Sequence, residues 1–141
     1  MSVRVQRRFT VAASVSDVWD FISDPTARAR AISVVDRFEQ RGETTIWYIE
    51  LPIPLVRKTI RVVTRNEEVD PPEYVRFTGS SKAFTVEGEH TIHESDDGDV
   101  SVDNVFVVEG RVPGVETFFR RNLDSELDNL ERAMKSAIRN E

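Results

Sequence analysis

Hydrophobic and polar residues alternate with a period of two over residues 3–11, which predicts a strand with one buried face. Ser14 then stands where a helix N-cap is expected, and Asp17 completes a variant of the capping box three residues later. Apolar residues at helical spacing follow this cap. Pro25 begins another short helix, extending to about residue 32, because proline is favoured at the first helical position. Two short helices are therefore predicted after the first strand.

The middle of the chain alternates again, and turn sequences divide it into strands. The most evident turns are Arg41-Gly42, residues 70–73 and residues 95–99. The predicted strands cover residues 34–40, 43–51, 56–69, 74–79, 83–94 and 100–109. Because successive strands are joined by short turns, they predict an antiparallel sheet.

A long amphipathic helix is predicted at the end of the chain. Pro113-Gly114 precedes it, and the helix runs for roughly 24 residues at i+3/i+4 spacing. One apolar stripe follows its length: Val115, Phe119, Leu123, Leu127, Leu130, Met134 and Ile138. The order β-α-α-β6-α predicts an α+β fold in which this helix closes a curved antiparallel sheet. A chain of 141 residues fits one domain, so we expect residues 1–141 to form a single unit.

The turn at residues 95–99 sets the register of the two strands beside it. If Glu94 opposes Val100, then His90 opposes Asn104, and the apolar positions of both strands fall on the same face of the sheet. This agreement supports the register. It predicts that His90 and Asn104 are neighbours on the inner face.

Residues 70–73 similarly fold one strand onto the next, pairing Asn66 with Phe77 and Glu68 with Val75. In the first hairpin, alternation leaves Tyr48 on the face opposite to the apolar wall. An apolar wall with a few polar groups is typical of a small-molecule cavity. The residues predicted to line one are Phe38, Trp47, Ile49, Val62, Thr64, Phe77, Val86, His90, Asn104, Phe106, Phe119, Leu123 and Leu127.

The opening segment also carries a resemblance to a known superfamily. Residues 9–25, FTVAASVSDVWDFISDP, are similar to the strand, capped helix and Asp-Pro break that begin many polyketide cyclase/dehydrase-like proteins. Together with the element order, they resemble the SRPBCC superfamily, which includes START lipid-transfer domains and Bet v 1-like allergens. The resemblance implies a helix-grip fold with a cavity between the sheet and the last helix. It also implies apolar ligands such as lipids, isoprenoids or polyketides.

Composition argues against several kinds of binding site. The formal net charge of −6 disfavours nucleic-acid binding, and without cysteine there is no disulfide framework and no thiolate zinc site. His90 and His93 lie three apart on a strand and so face opposite sides, which disfavours a histidine metal site. No cofactor motif, secretory signal or transmembrane segment is predicted. We expect a cytoplasmic protein, and the sequence permits a homodimer without predicting one.

Three functions remain open at this point. The first is binding or transport of a small hydrophobic molecule. The second is a cyclase or dehydratase that uses His90 as an acid or base, with Asn104 or Tyr48, although His90 beside Asn104 also fits a hydrogen-bonded core pair. The third is an accessory protein-binding module with a filled cavity, which a void below about 100 Å³ would indicate because ligand pockets measure ~300–1,000 Å³.

Overall fold

Seven strands and three helices follow one another in the described part of the chain. The structure is a computed structural model that describes residues 2–53 and 59–139, with side chains as far as residue 138. The elements are β1 (Val3–Val11), α1 (Val15–Ile22), α2 (Pro25–Ala31), β2 (Val35–Arg41), β3 (Thr44–Ile49), β4 (Ile60–Asp70), β5 (Tyr74–Ser80), β6 (Phe84–Glu94), β7 (Val100–Gly110) and α3 (Val115–Arg139). The predicted β-α-α-β6-α order is confirmed.

The strands form one antiparallel sheet in the order β1-β7-β6-β5-β4-β3-β2. From β2 to β7 each strand pairs with its neighbour in sequence, whereas β1 pairs with the last strand. The short helices α1 and α2 therefore connect one edge of the sheet to the other. α3 packs against both of them and against β1 and β7, so it closes the inner face.

The caps explain why α1 and α2 are short and separate. The Ser14 hydroxyl accepts a hydrogen bond from the Asp17 backbone N–H at 3.1 Å, and an Asp24 carboxylate oxygen accepts one from the Thr26 N–H at 3.0 Å. Each bond satisfies a donor that the first helical turn leaves free. Asp24 thus begins α2 directly after Ser23 has ended α1. This abrupt change of direction carries α2 over the inner face of the sheet.

The register of β6 and β7 agrees with the prediction. His90 lies opposite Asn104, and the turn places Glu94 opposite Val100. Both members of the inner pair are fully buried. Strand alternation and turn length therefore sufficed to bring two polar side chains together in the interior.

The register of β4 and β5 differs from the prediction near the turn. Asn66 does lie opposite Phe77, but Glu68 lies opposite Arg76 and not opposite Val75. The register shifts between Asn66 and Glu68, as a β-bulge requires, because the extra residue moves every later pair by one. The predicted start of this strand at Val56 lies outside the described residues.

Phe77 lies flat against the backbone of the neighbouring strand. A Cβ atom built on Gly88 would come within 2.2 Å of Phe77 Cε1, a distance that no side chain tolerates. Glycine at position 88 is what allows this close approach. The ring consequently occupies the middle of the inner face, where it organises the groups described below.

α3 is held against the sheet by an apolar stripe and by polar contacts at its edge. Leu127 and Met134 are almost completely buried. The Arg7 guanidinium on β1 pairs with the Asp128 carboxylate and donates to the Asp124 carbonyl at 3.2 Å. None of the described helices has the length and apolarity needed to cross a bilayer.

Candidate functional site

A cavity of about 40 Å³ lies between the inner face of the sheet and α3. One water molecule needs roughly 10–15 Å³ of such space, so the void has room for only a few. The cavity is lined by Arg28, Ile32, Val34, Trp47, Ile49, Phe77, Phe84, Val86, Phe106, Val108, Phe119, Leu123, Glu126, Leu127 and Leu130. Arg28 and Glu126 are the charged residues among them, but the surface that the lining presents to the void is apolar throughout.

Many of the residues expected to line a cavity do so. They are Trp47, Ile49, Phe77, Val86, Phe106, Phe119, Leu123 and Leu127. Their contact with a ligand stays a prediction. The structure brings them together from four strands and from one face of α3, as alternation and the helical stripe indicated.

Other predicted lining residues lie away from the void: Phe38, Val62, Thr64, His90 and Asn104. Phe38 lies beneath the guanidinium of Arg30, at 5.4 Å. Thr64 uses its hydroxyl to donate to the Thr45 carbonyl at 2.7 Å. These side chains lie on the inner face of the sheet and are not part of the cavity lining.

Several lining residues were not predicted, and some had a usable signal. Phe84 and Val108 occupy inward positions of β6 and β7, and Leu130 belongs to the apolar stripe of α3. Glu126 lies three residues after one stripe leucine and four before another, which places it at the edge of that stripe. Arg28 had a weaker signal, because it shares a helix face with Ile32 four residues later.

The Phe77 ring is surrounded by groups of different polarity. The centroid of Trp47 lies 5.9 Å away, that of His90 lies 6.1 Å away in a stacked arrangement, and that of Phe106 lies 6.0 Å away. The guanidinium carbon of Arg28 lies 4.6 Å from the Phe77 centroid, over the ring. An aromatic face attracts a cation through its quadrupole, so Phe77 stabilises the position of Arg28.

Arg28 is a buried cation, with only 3% of its surface exposed. Its Nη1 donates to the Ile22 carbonyl at 2.8 Å and its Nη2 donates to Asn66 Oδ1, but its Nε has no hydrogen-bond partner. Burial lowers the pKa of Arg28 to about 10, although nearby Asp24 acts in the opposite direction. The side chain is therefore still charged at neutral pH.

His90 and Asn104 form a neutral pair beside the same ring. Asn104 Nδ2 donates to the Arg7 carbonyl at 3.1 Å, which leaves Asn104 Oδ1 to accept a hydrogen bond from His90 Nδ1 at 2.7 Å. Burial, followed by the charge of Arg28, lowers the pKa of His90 to about 3. His90 is therefore an uncharged imidazole at physiological pH, with its proton on Nδ1.

Among the described residues, the buried side-chain atoms without a hydrogen-bond partner are Arg28 Nε, Trp47 Nε1 and His90 Nε2. Arg28 and Trp47 line the cavity, whereas His90 does not. The first two atoms are donors, and His90 Nε2 is an acceptor in the tautomer described above. Native proteins leave few buried polar atoms unpaired, so a group of them beside one ring requires an explanation.

The other charged residue of the lining is fixed by the loop between α2 and β2. Glu126 accepts a hydrogen bond from the Ser33 backbone N–H at 2.7 Å and another from the Ser33 hydroxyl. Ser33 lies between the lining residues Ile32 and Val34. Glu126 therefore holds this part of the cavity wall against α3.

Comparison with curated proteins found no match. Over residues 2–135, however, the sequence matches the family described as polyketide cyclase / dehydrase and lipid transport. This match includes every element from β1 to β7 and most of α3.

Solved structures show the same fold at low sequence identity. A START superfamily protein from Mycobacterium smegmatis is similar with a TM-score of 0.73 and 13% identity, covering 97% of each chain. The Zhui aromatase/cyclase from Streptomyces sp. R1128 gives a TM-score of 0.66 and 15% identity, over 98% of this chain and 92% of that one. Ara h 8.0201 gives a TM-score of 0.69 and 10% identity, over the whole of both chains. The shared architecture is the helix-grip fold.

Proposed function

The chain belongs to the family of polyketide cyclase/dehydrase and lipid-transport proteins, and on that premise we propose that it binds a small hydrophobic molecule between its sheet and α3. The observation that carries this proposal is the pair of unpartnered donors, Arg28 Nε and Trp47 Nε1, which belong to two residues that line an apolar cavity, although neither nitrogen faces the void. An interior with only a structural role gains nothing from leaving these donors unpaired. A bound molecule with an acceptor atom supplies what they lack.

The cavity must expand for such binding to occur. Its 40 Å³ is far below the ~300–1,000 Å³ of usual ligand pockets, so a bound ligand requires a larger cavity than the one described. The wall formed by Ile32 and Val34 is held to α3 by the hydrogen bonds from Ser33 to Glu126. We propose that the ligand enters when this wall and the facing aromatic side chains move apart.

A second candidate is favoured by the same volume. The void is smaller than the about 100 Å³ below which a ligand pocket is not expected, which supports an accessory protein-binding module whose interior is filled by side chains. In this case the protein would act through its surface. The experiment below separates the two candidates.

A cyclase or dehydratase that uses His90 has less support. His90 does not line the cavity, and with its pKa lowered to about 3 it is a weak base that carries no transferable proton on Nε2 at neutral pH. Tyr48, the other suggested partner, has the guanidinium carbon of Arg37 3.8 Å from the centroid of its ring. Neither side chain is arranged to move a proton on a molecule in the cavity.

The direct test is fluorescence titration with 1-aminoanthracene, a neutral apolar probe. We expect saturable binding to the native chain and a loss of at least about tenfold in affinity for Leu123→Phe, because the larger ring fills the cavity. Val63→Phe, on the exposed outer face of β4, is the matched control and should bind the probe normally.

Mass spectrometry of an extract from the protein purified from its own cells gives an independent measurement. Ligand binding predicts an apolar small molecule at a stoichiometry that Leu123→Phe reduces. If no such molecule co-purifies and the native chain does not bind 1-aminoanthracene, the filled module is the better description.

A further inference from the structure

The charge of Arg28 has no counterion in the interior. Within the described residues, no carboxylate oxygen lies within 4.0 Å of its guanidinium, and the contacts that it makes are to neutral oxygens. One of these is the Ile22 carbonyl at the end of α1, where the helix dipole partly offsets a positive charge. A buried cation without an ionic partner is nevertheless unfavourable, since neutral oxygens replace only part of its hydration.

The other titratable groups near the cavity do not supply the missing charge. His90 is neutral, because burial and then the charge of Arg28 lower its pKa to about 3. Glu126 is directed to the Ser33 N–H and hydroxyl. Asp24 acts on Arg28 from a distance, with its own carboxylate bonded to the Thr26 N–H and hydroxyl. Among the described residues, Arg28 is therefore a buried cation that makes no ion pair.

The free donors of Arg28 and Trp47 belong to lining residues, and on the proposed function an anionic group reaches them when the cavity expands. A guanidinium has five N–H donors, of which Arg28 uses two in its bonds to Ile22 and Asn66, so its Nε–H and others stay available. Trp47 Nε1–H is a further donor beside the same Phe77 ring. One guanidinium neutralises a carboxylate, whereas a phosphate dianion would bring an excess negative charge into an apolar interior.

We infer, on the basis of the proposed function, that the ligand is an apolar molecule with a single carboxylate, which Arg28 binds while the hydrocarbon part contacts the aromatic and leucine lining. Trp47 provides a second donor. Because His90 is neutral, the positive charge that attracts the carboxylate comes from Arg28. A neutral alcohol of the same length satisfies a donor but leaves the cation unneutralised, and it therefore binds more weakly.

The test compares decanoate with decan-1-ol by isothermal titration calorimetry, because the two probes share a chain length and differ in the charged group. We expect the native chain to prefer decanoate by about tenfold, as charge-assisted hydrogen bonds exceed neutral ones. Arg28→Met should remove this preference while retaining alcohol binding. Arg30→Met, on the same helix but exposed, makes the same charge change and should leave the preference intact.

Additional variants keep the inference falsifiable if Arg28→Met does not fold. Arg28→Lys retains the charge and should preserve part of the preference, and Trp47→Phe should weaken decanoate about threefold or more with a smaller effect on the alcohol. Equal binding of both probes to the native chain would overturn the carboxylate inference and leave the proposed function intact. If neither probe binds while 1-aminoanthracene does, the carboxylate inference alone is overturned; if none of the three binds and no apolar molecule co-purifies, both are overturned.

Discussion

Two buried polar groups contact the same aromatic ring, and they differ in almost every physical respect. His90 and Asn104 form a neutral pair on adjacent strands, and Asn104 satisfies its hydrogen bonds within the sheet. Arg28 lies on the helix α2, and its guanidinium is over the Phe77 ring. It keeps its charge, and its Nε has no hydrogen-bond partner. The first group lies outside the cavity lining, whereas the second is part of it.

The difference shows that residue type and burial alone do not identify a binding site. A histidine with its ordinary pKa suits proton transfer, but complete burial has lowered the pKa of His90 far from the physiological range. Arginine is rarely buried without a partner, so Arg28 is the more informative residue. Three measurements test the distinction between the neutral hydrogen-bonded pair and the buried cation.

The largest effect is expected for Phe77→Ala, which removes the ring between the two groups. We expect the free energy of unfolding to fall by about 3–5 kcal/mol, because the ring is fully buried and contacts Arg28, His90 and Trp47. Urea denaturation measures this loss. Phe118→Ala, a half-buried phenylalanine on α3, should cost less, and an equal cost would mean that Phe77 has no special place in the interior.

The next effect concerns the pH dependence of stability. The pKa of His90 is lower in the folded chain, so the unfolded chain binds the proton more readily. The contribution of His90 to the free energy of unfolding is therefore fully present above its unfolded pKa of about 6.5. This contribution is lost as the pH falls towards 3. Lowering the pH from 7 to 5 should reduce the free energy of unfolding by about 2 kcal/mol, because His90 takes up a proton in the unfolded chain but not in the folded one.

Chemical denaturation of His90→Gln at both pH values isolates this contribution. The variant should lose that part of the pH dependence, while the exposed His93→Gln retains it. If His90→Gln shows the same decrease as the native chain, then His90 is not the buried neutral imidazole described above.

The smallest effect is expected at the contact between α3 and the α2–β2 loop. Glu126→Gln should reduce stability by about 1 kcal/mol, since it replaces a charge-assisted hydrogen bond to Ser33 with a neutral one. Asp124→Asn, exposed on the same helix, is the control. A loss of about 3–5 kcal/mol would indicate instead that Glu126 neutralises Arg28, and it would remove the distinction between the two buried groups.

The sequence was most informative where local periodicity and a tight turn act together. The length of the 95–99 turn determined the register of β6 and β7, and through it the pairing of His90 with Asn104. The stripe of α3 similarly identified Leu123 and Leu127 as lining residues. The β4–β5 register failed near Glu68, because a bulge is a local adjustment that alternation does not reveal.

The residues that define the proposed ligand site were harder to predict. Arg28 stands among alanines in a helix of only seven residues, where periodicity carries little information. Its burial depends on how α1 ends, where α2 crosses the sheet and which β4 residue, Asn66, meets its guanidinium. These are relations between distant elements, so no local pattern records them.

Periodicity, caps and turns within short segments were enough to predict the element order, the antiparallel sheet, the closing helix and the apolar character of the space between them. The volume of about 40 Å³, the neutral state of His90 and the burial of Arg28 without an ion pair became evident only in the folded structure. Cavity volume and pKa depend on packing and desolvation by groups far apart in the chain, and those arise only when the elements meet.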